Sequence, residues 1–150
     1  MKRAIALLIL LMLSAVLVAG CTSNQDAELK KTIQESLTPM QGALQTVGRD
    51  SSNLDYAAVV QSGKALETES EIWYNRVSAI NDLSPEWQTV KTNYLRALDY
   101  YQISGQKISA AGAAFQKGDL ATSLAYTQEA TANLESGSRY MDETLAAIPK

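Results

Sequence analysis

The sequence predicts an all-α protein, an antiparallel up-down-up-down four-helix bundle. Three observations carry that expectation. Apolar or small residues recur at alternating spacings of three and four along four long stretches, the period of a helix face turned to a core. Clusters of turn-forming residues fall between those stretches. Only three prolines occur in 150 residues, at positions 39, 85 and 149, so a single one falls inside a helical run.

The first stretch, residues 25–48, places Leu29, Ile33, Leu37, Met40, Leu44 and Val47 on one stripe. Thr38-Pro39 inside it predicts a kink or a restart, because proline removes a backbone donor and crowds the preceding turn. Gly48 to Asn53 reads as the turn that follows. The second stretch, 54–82, aligns Tyr56, Val59, Gly63, Leu66, Ser70, Trp73, Val77 and Ile80. Ser84-Pro85-Glu86 then sets an N-cap, a first-position proline and a first-turn acid in order. The third stretch, 85–117, aligns Trp87, Val90, Tyr94, Leu98, Tyr101, Gly105, Ile108, Gly112 and Phe115. Gly118-Asp119 ends it and caps the next. The fourth, 120–148, aligns Leu124, Thr127, Thr131, Leu134, Ser138, Met141, Leu145 and Ile148. Helices of this size run roughly 38–50 Å at 1.5 Å per residue. Their short links force neighbours to be antiparallel, with left-handed packing near ~20°.

Several stripe positions are small or polar: Gly63, Ser70, Gly105, Gly112, Thr127, Thr131 and Ser138. Close helix approach is the favoured account, ahead of a wet core or a ligand cavity. The alanines around Gly112 fit a tight crossing. Trp73 and Trp87 flank the second turn and are expected to pack at that end. A shift of 68 residues lays the second stretch on the fourth, with Leu66/Leu134, Glu67/Glu135, Ser70/Ser138, Ala79/Ala147 and Ile80/Ile148 identical. That suggests two duplicated helical hairpins, against the plainer account that any two amphipathic helices can be slid into phase.

The N-terminus has a different character. Met1-Lys2-Arg3 is basic, Ile5 to Val18 is almost wholly apolar, and Val18-Ala19-Gly20-Cys21 follows. These are the parts of a secretory signal, and the apolar run is short for a bilayer span. Val18-Ala19-Gly20-Cys21 resembles the lipobox of prokaryotic membrane lipoproteins, a resemblance confined to residues 1–21. It implies a signal peptide over 1–20, with Val18, Ala19 and Gly20 as the signal peptidase recognition residues. It also implies lipidation of Cys21 as the first mature residue, with two or more acyl chains giving stable membrane attachment. Residues 21–26 then form the lipidated Cys and a short tether, and 27–150 the bundle domain. The implied location is the extracytoplasmic face of the cell membrane. Thr22, rather than Asp, after the Cys resembles the outer-membrane-sorted class if the source is a diderm bacterium.

Composition removes several function classes. The chain has no His and one Cys, so a Ser-His-Asp triad, a His-ligated metal and a CxxC pair are excluded. No catalytic, cofactor-binding or metal-binding residue is assigned. Glu67, Glu69 and Glu71 spread round a helix, and Asp142-Glu143 diverges, so neither makes a paired-carboxylate site. Without Lys2 and Arg3 the mature chain carries 11 basic and 16 acidic side chains, net −5, which disfavours nucleic acid as a partner. Tyr74 and Tyr100 lie off the core stripes and are the candidate interaction surface. The expected function is that of a non-enzymatic, lipid-anchored envelope component that binds another protein or serves structurally, using no cofactor. A small-ligand-binding or sensing module is the alternative. Because the chain has no second span after the bundle, such a module would work through a separate membrane partner. The thin core also leaves pairing with a second copy open.

Overall fold

The computed structural model describes residues 24–149. Those residues form four α-helices and no strand: α1 (Asn24–Ser52), α2 (Tyr56–Ser78), α3 (Pro85–Gln116) and α4 (Leu120–Ala147). They pack as a four-helix bundle in which α1 lies on α2, α2 on α3, and α3 on α4. One core cluster runs through it, from Leu29, Ile33 and Met40 of α1 to Leu66 and Val77 of α2, Val90, Tyr94 and Leu98 of α3, and Ala130 of α4.

The helices start and stop for identifiable reasons. The α1 helix passes through Pro39 without a break, so the helix does not restart there. Ile33 and Met40 are almost fully buried on either side of the proline. Packing along that face outweighs the roughly 3 kcal/mol that an interior proline costs. The helix also outruns the expected turn at Gly48. It continues to Ser52, with Asp50 buried and held by Arg49 at 2.9 Å, and Ser52 Oγ donating to the Gly48 carbonyl at 2.7 Å. At its other end α1 begins at Asn24, so residues 24–26 of the expected tether are helical. Asp26 is 2% exposed, and its Oδ1 accepts the Ser84 backbone N–H at 3.0 Å.

That bond corrects the expected cap of α3. Ser84 has the extended backbone of an N-cap, and Pro85 opens the helix, but the Ser84 side chain makes no capping bond. Its amide instead ties the α2–α3 link to the start of α1. Lys91 closes the same link from the α3 side. Its Nζ donates to the carbonyls of Ser78 and Ile80, which the end of α2 leaves without helical partners.

The two hairpin turns are built alike. Leu54 and Gly118 both take positive φ, 55° and 77°. Asp55 and Asp119 follow with φ −85° each, and their side chains accept the backbone N–H of Ala58 and Thr122 at 3.0 Å. Asp119 holds its carboxyl below the ordinary carboxylate range through those bonds to Thr122. The turns are related by an offset of 64, not 68, and at 64 the buried positions also coincide: Val59/Ser123, Leu66/Ala130, Trp73/Gly137 and Ile80/Thr144. The two offsets differ by four residues, about one helical turn. A slip of one turn keeps the same face, which is why the shift of 68 produced matching stripes.

The stripes of α2 and α3 are buried at nearly every expected position, and Tyr56 and Phe115, half-buried at their ends, stack with centroids 3.5 Å apart. In α1, Ser36 rather than Leu37 completes the buried face. The α4 stripe is half right. Leu134, Met141 and Ile148 pack against the core, but the alternate positions fall one residue earlier than expected. Ser123, Ala130, Gly137 and Thr144 are buried, whereas Leu124 is 60% exposed and Thr131 and Ser138 face outward. The apolar choice at 124 misplaced the face; α4 sits on α3 through its small residues.

Small residues set the distance between α3 and its neighbours. A Cβ added to Gly105 would lie 2.5 Å from the Glu67 backbone N and 2.6 Å from the Gly63 carbonyl. One added to Gly63 would lie 2.6 Å from the Ser109 backbone N. At this crossing α2 and α3 touch backbone to backbone, which agrees with close approach as the reason for the small residues. Ser70 is fully buried beside it and donates to the Leu66 carbonyl at 2.7 Å.

Candidate functional site

The polar groups inside the bundle are consumed by the fold. Tyr94 of α3 is fully buried, and its hydroxyl pairs with Ser36 of α1, whose Oγ also faces the Ile33 carbonyl. Burial pushes the Tyr94 phenol up to about 12, against a smaller lowering by Ser36. Ser104 bonds the Tyr100 carbonyl at 2.8 Å and the Ala130 carbonyl at 3.4 Å, and Thr144 bonds the Tyr140 carbonyl at 2.7 Å. Among the described residues every buried side-chain N or O has a partner, and no cluster of His, Cys, Asp and Glu is arranged to hold a metal. The acidic run behaves as surface chemistry: Glu67 accepts from Gln106 Nε2 at 2.9 Å, and Glu69 from the Trp73 indole at 3.3 Å.

Chemistry available to a partner is on the outside, along the seam between α3 and α4. Tyr100 of α3 stacks on Tyr140 of α4, centroids 5.6 Å apart and planes 10° from parallel. The guanidinium of Arg139 lies 4.9 Å from the Tyr140 centroid, and that of Arg96, one turn before Tyr100, lies 5.4 Å from it. Both arginines are exposed and both tyrosines half-buried. Further up the seam Lys107 Nζ lies 5.1 Å from the Tyr126 ring and 2.7 Å from Glu129 Oε2. That hydrogen bond raises the Lys107 ammonium above its ordinary value.

Of the two tyrosines singled out in sequence, Tyr100 belongs to this seam. Tyr74 does not: it is exposed on α2, one residue from buried Trp73, and the structure does not bring it to Tyr100. Trp73 and Trp87 both enter the core cluster, and Arg76 covers the Trp73 ring at 4.6 Å. Arg96, Arg139, Tyr140, Lys107 and Tyr126 were missed. The signal was present, since positions 100 and 107 on one helix and 126 and 140 on the other keep heptad spacing, flanking the packed stripes as e and g positions do. Cys21, with Val18, Ala19 and Gly20, lies outside the described residues.

No family model, curated protein or solved structure matches this chain. Among the described residues no helix is long and apolar enough to cross a membrane.

Proposed function

We propose that the protein is a lipid-anchored envelope lipoprotein whose helical bundle acts, without catalysis, by binding another protein at the extracytoplasmic face of the membrane. The observation that carries this reading is the placement of the only Cys, Cys21, directly after an apolar run and the small pair Ala19-Gly20. The bundle offers support of a mechanical kind. Its first helix starts three residues beyond Cys21, and the two hairpin turns stand at the opposite end of helices about 42 Å long. An anchor at Cys21 therefore presents the length of the bundle, and the α3–α4 seam along its flank, away from the bilayer. Tyr and Arg, the residues of that seam, are the types most enriched where protein partners bind tightly.

The Cys21→Ser variant tests the anchor. It is expected to keep the unprocessed mass and to take no lipid label; normal processing of that variant would remove the basis of the reading. Crosslinking in intact membranes followed by recovery under denaturing conditions tests the interaction. A defined partner is expected, and recovery of none would count against it. Native mass spectrometry of the full chain in micelles should give the bare protein, whereas a retained small molecule would favour a ligand-binding module.

A further inference from the structure

Cations over aromatic rings occur at three places in the described residues, and at one of them the cation is paired with a carboxylate. At Trp73, Arg76 covers the ring while Glu69 accepts the indole N–H. At Tyr126, Lys107 covers the ring and is paired with Glu129. Only at Tyr126 is the cation itself paired with a carboxylate; at Trp73 the carboxylate bonds the ring rather than Arg76. The third, around Tyr140, has two guanidiniums and a stacked pair of rings but no carboxylate. Asp99, Glu135, Asp142 and Glu143 lie within one turn of Arg96 or Arg139 along their own helices. Yet none of these four carboxylates is ion-paired with either arginine among the described residues. Two exposed guanidiniums thus converge on one ring with their N–H donors unspent, in a chain whose net charge is negative.

Resting on the reading of this protein as an interaction component, we propose that the Arg96–Tyr140–Arg139 cluster, with Tyr100 beneath it, docks an acidic segment of a partner protein. The partner contributes to the two arginines the kind of carboxylate that Lys107 finds in Glu129. A planar guanidinium already held against a ring loses less freedom when it forks onto a carboxylate, and such forks are geometrically selective. The stacked tyrosines add an apolar surface beside the two cations, so the segment that fits combines acidic residues with an apolar one. A bilayer is the poorer fit. Two arginines fall short of the cluster of roughly four to eight cations that draws a chain to anionic lipid.

The test uses the full chain in neutral detergent micelles, titrated calorimetrically with a helical peptide carrying Glu at positions i and i+4 around a Leu. Binding is expected to weaken about tenfold in the R96Q/R139Q double variant, the sum expected from two exposed charge pairs. It should weaken as salt rises and stay within about twofold in R76Q, whose ring is on α2. Circular dichroism of the double variant should match the parent. Equal binding by the double variant would overturn the proposal, as would equal binding of a peptide with Gln in place of Glu, or no binding by the parent chain. Arginine-dependent binding to phosphatidylglycerol vesicles in place of the peptide would overturn it in favour of a lipid surface. Repeating the membrane crosslinking with R96Q/R139Q separates this proposal from the broader one. An undiminished partner yield defeats the seam and leaves the interaction reading standing, whereas failure of the parent to capture any partner defeats the interaction reading.

Discussion

The two flanks of α3 are packed by different means. Toward α2 the nearest contacts at Gly63 and Gly105 are backbone on backbone, and main chains cannot rotate away; at Gly112 the nearest atom is a Val60 methyl. Toward α4 the contact is side chain on glycine. The Tyr101 ring lies over Gly137, where an added Cβ would come within 2.7 Å of Cε1. One flank fixes a distance, and the other leaves an aromatic edge along its outer margin. It is on this second flank that the chain shows rings and cations to solvent. A rigid crossing and a seam of rings and cations thus flank one helix.

Substituting alanine for single glycines probes that contrast, because the same change carries the same intrinsic gain in helix propensity, about 1 kcal/mol. Gly105→Ala is expected to be the most damaging. Two backbones would have to separate, and the net loss should be about 2–3 kcal/mol, several degrees in Tm by scanning calorimetry. Gly137→Ala asks only a ring to move, so its net loss should be about 1 kcal/mol or less. Gly42→Ala, on the outer side of α1 with nothing within 4 Å of the new Cβ, should stabilise by about 0.5–1 kcal/mol. If Gly105 and Gly137 respond equally, the distinction between the flanks is wrong.

A smaller effect comes from the third face of α3, which meets α1. Tyr94→Phe should cost about 1 kcal/mol by removing the bond to Ser36, which retains the Ile33 carbonyl. Tyr94 keeps its proton in the folded chain up to about pH 12, while an unfolded tyrosine releases it near 10. The folded state therefore binds the extra proton between those values, and stability must fall as pH rises from about 10 toward 12. Tyr101, raised chiefly by burial, adds in the same direction. Urea unfolding at pH 9 and 11 should show the loss, and Tyr94→Phe should reduce the slope; an unchanged slope would assign it elsewhere.

The turns give the finest comparison. Gly118 takes its positive φ without cost, while Leu54 carries a Cβ into the same region. Gly118→Ala should lose about 1 kcal/mol, and Leu54→Gly should gain a few tenths, since relief of backbone strain is partly offset by chain entropy. Leu54 is 67% exposed, so little burial is forfeited. Opposite signs in thermal melts would support equivalence of the two turns at an offset of 64, and equal signs would break it.

The all-α class, the antiparallel order and the faces of α2 and α3 were legible in sequence. A helix that buries large apolar residues announces its phase every three or four positions, and both helices do so from Val59 to Val77 and from Trp87 to Ile108. The Asp119 cap and the Gly118 stop were legible too, since left-handed backbone and an N-terminal acceptor each favour few residue types. The phase of α4 was not. Its buried positions are Ser123, Ala130, Gly137 and Thr144, and small residues are silent in any pattern built on hydrophobicity. The absence of His excludes His-based catalysis and His ligation whatever the tertiary contacts. Only the tertiary structure decided that Asp26 belongs to the bundle, that Pro39 stays inside a helix, and that Arg96 and Arg139 share one tyrosine. Each of these depends on residues far apart in the chain being pressed together, an energy that no local propensity contains.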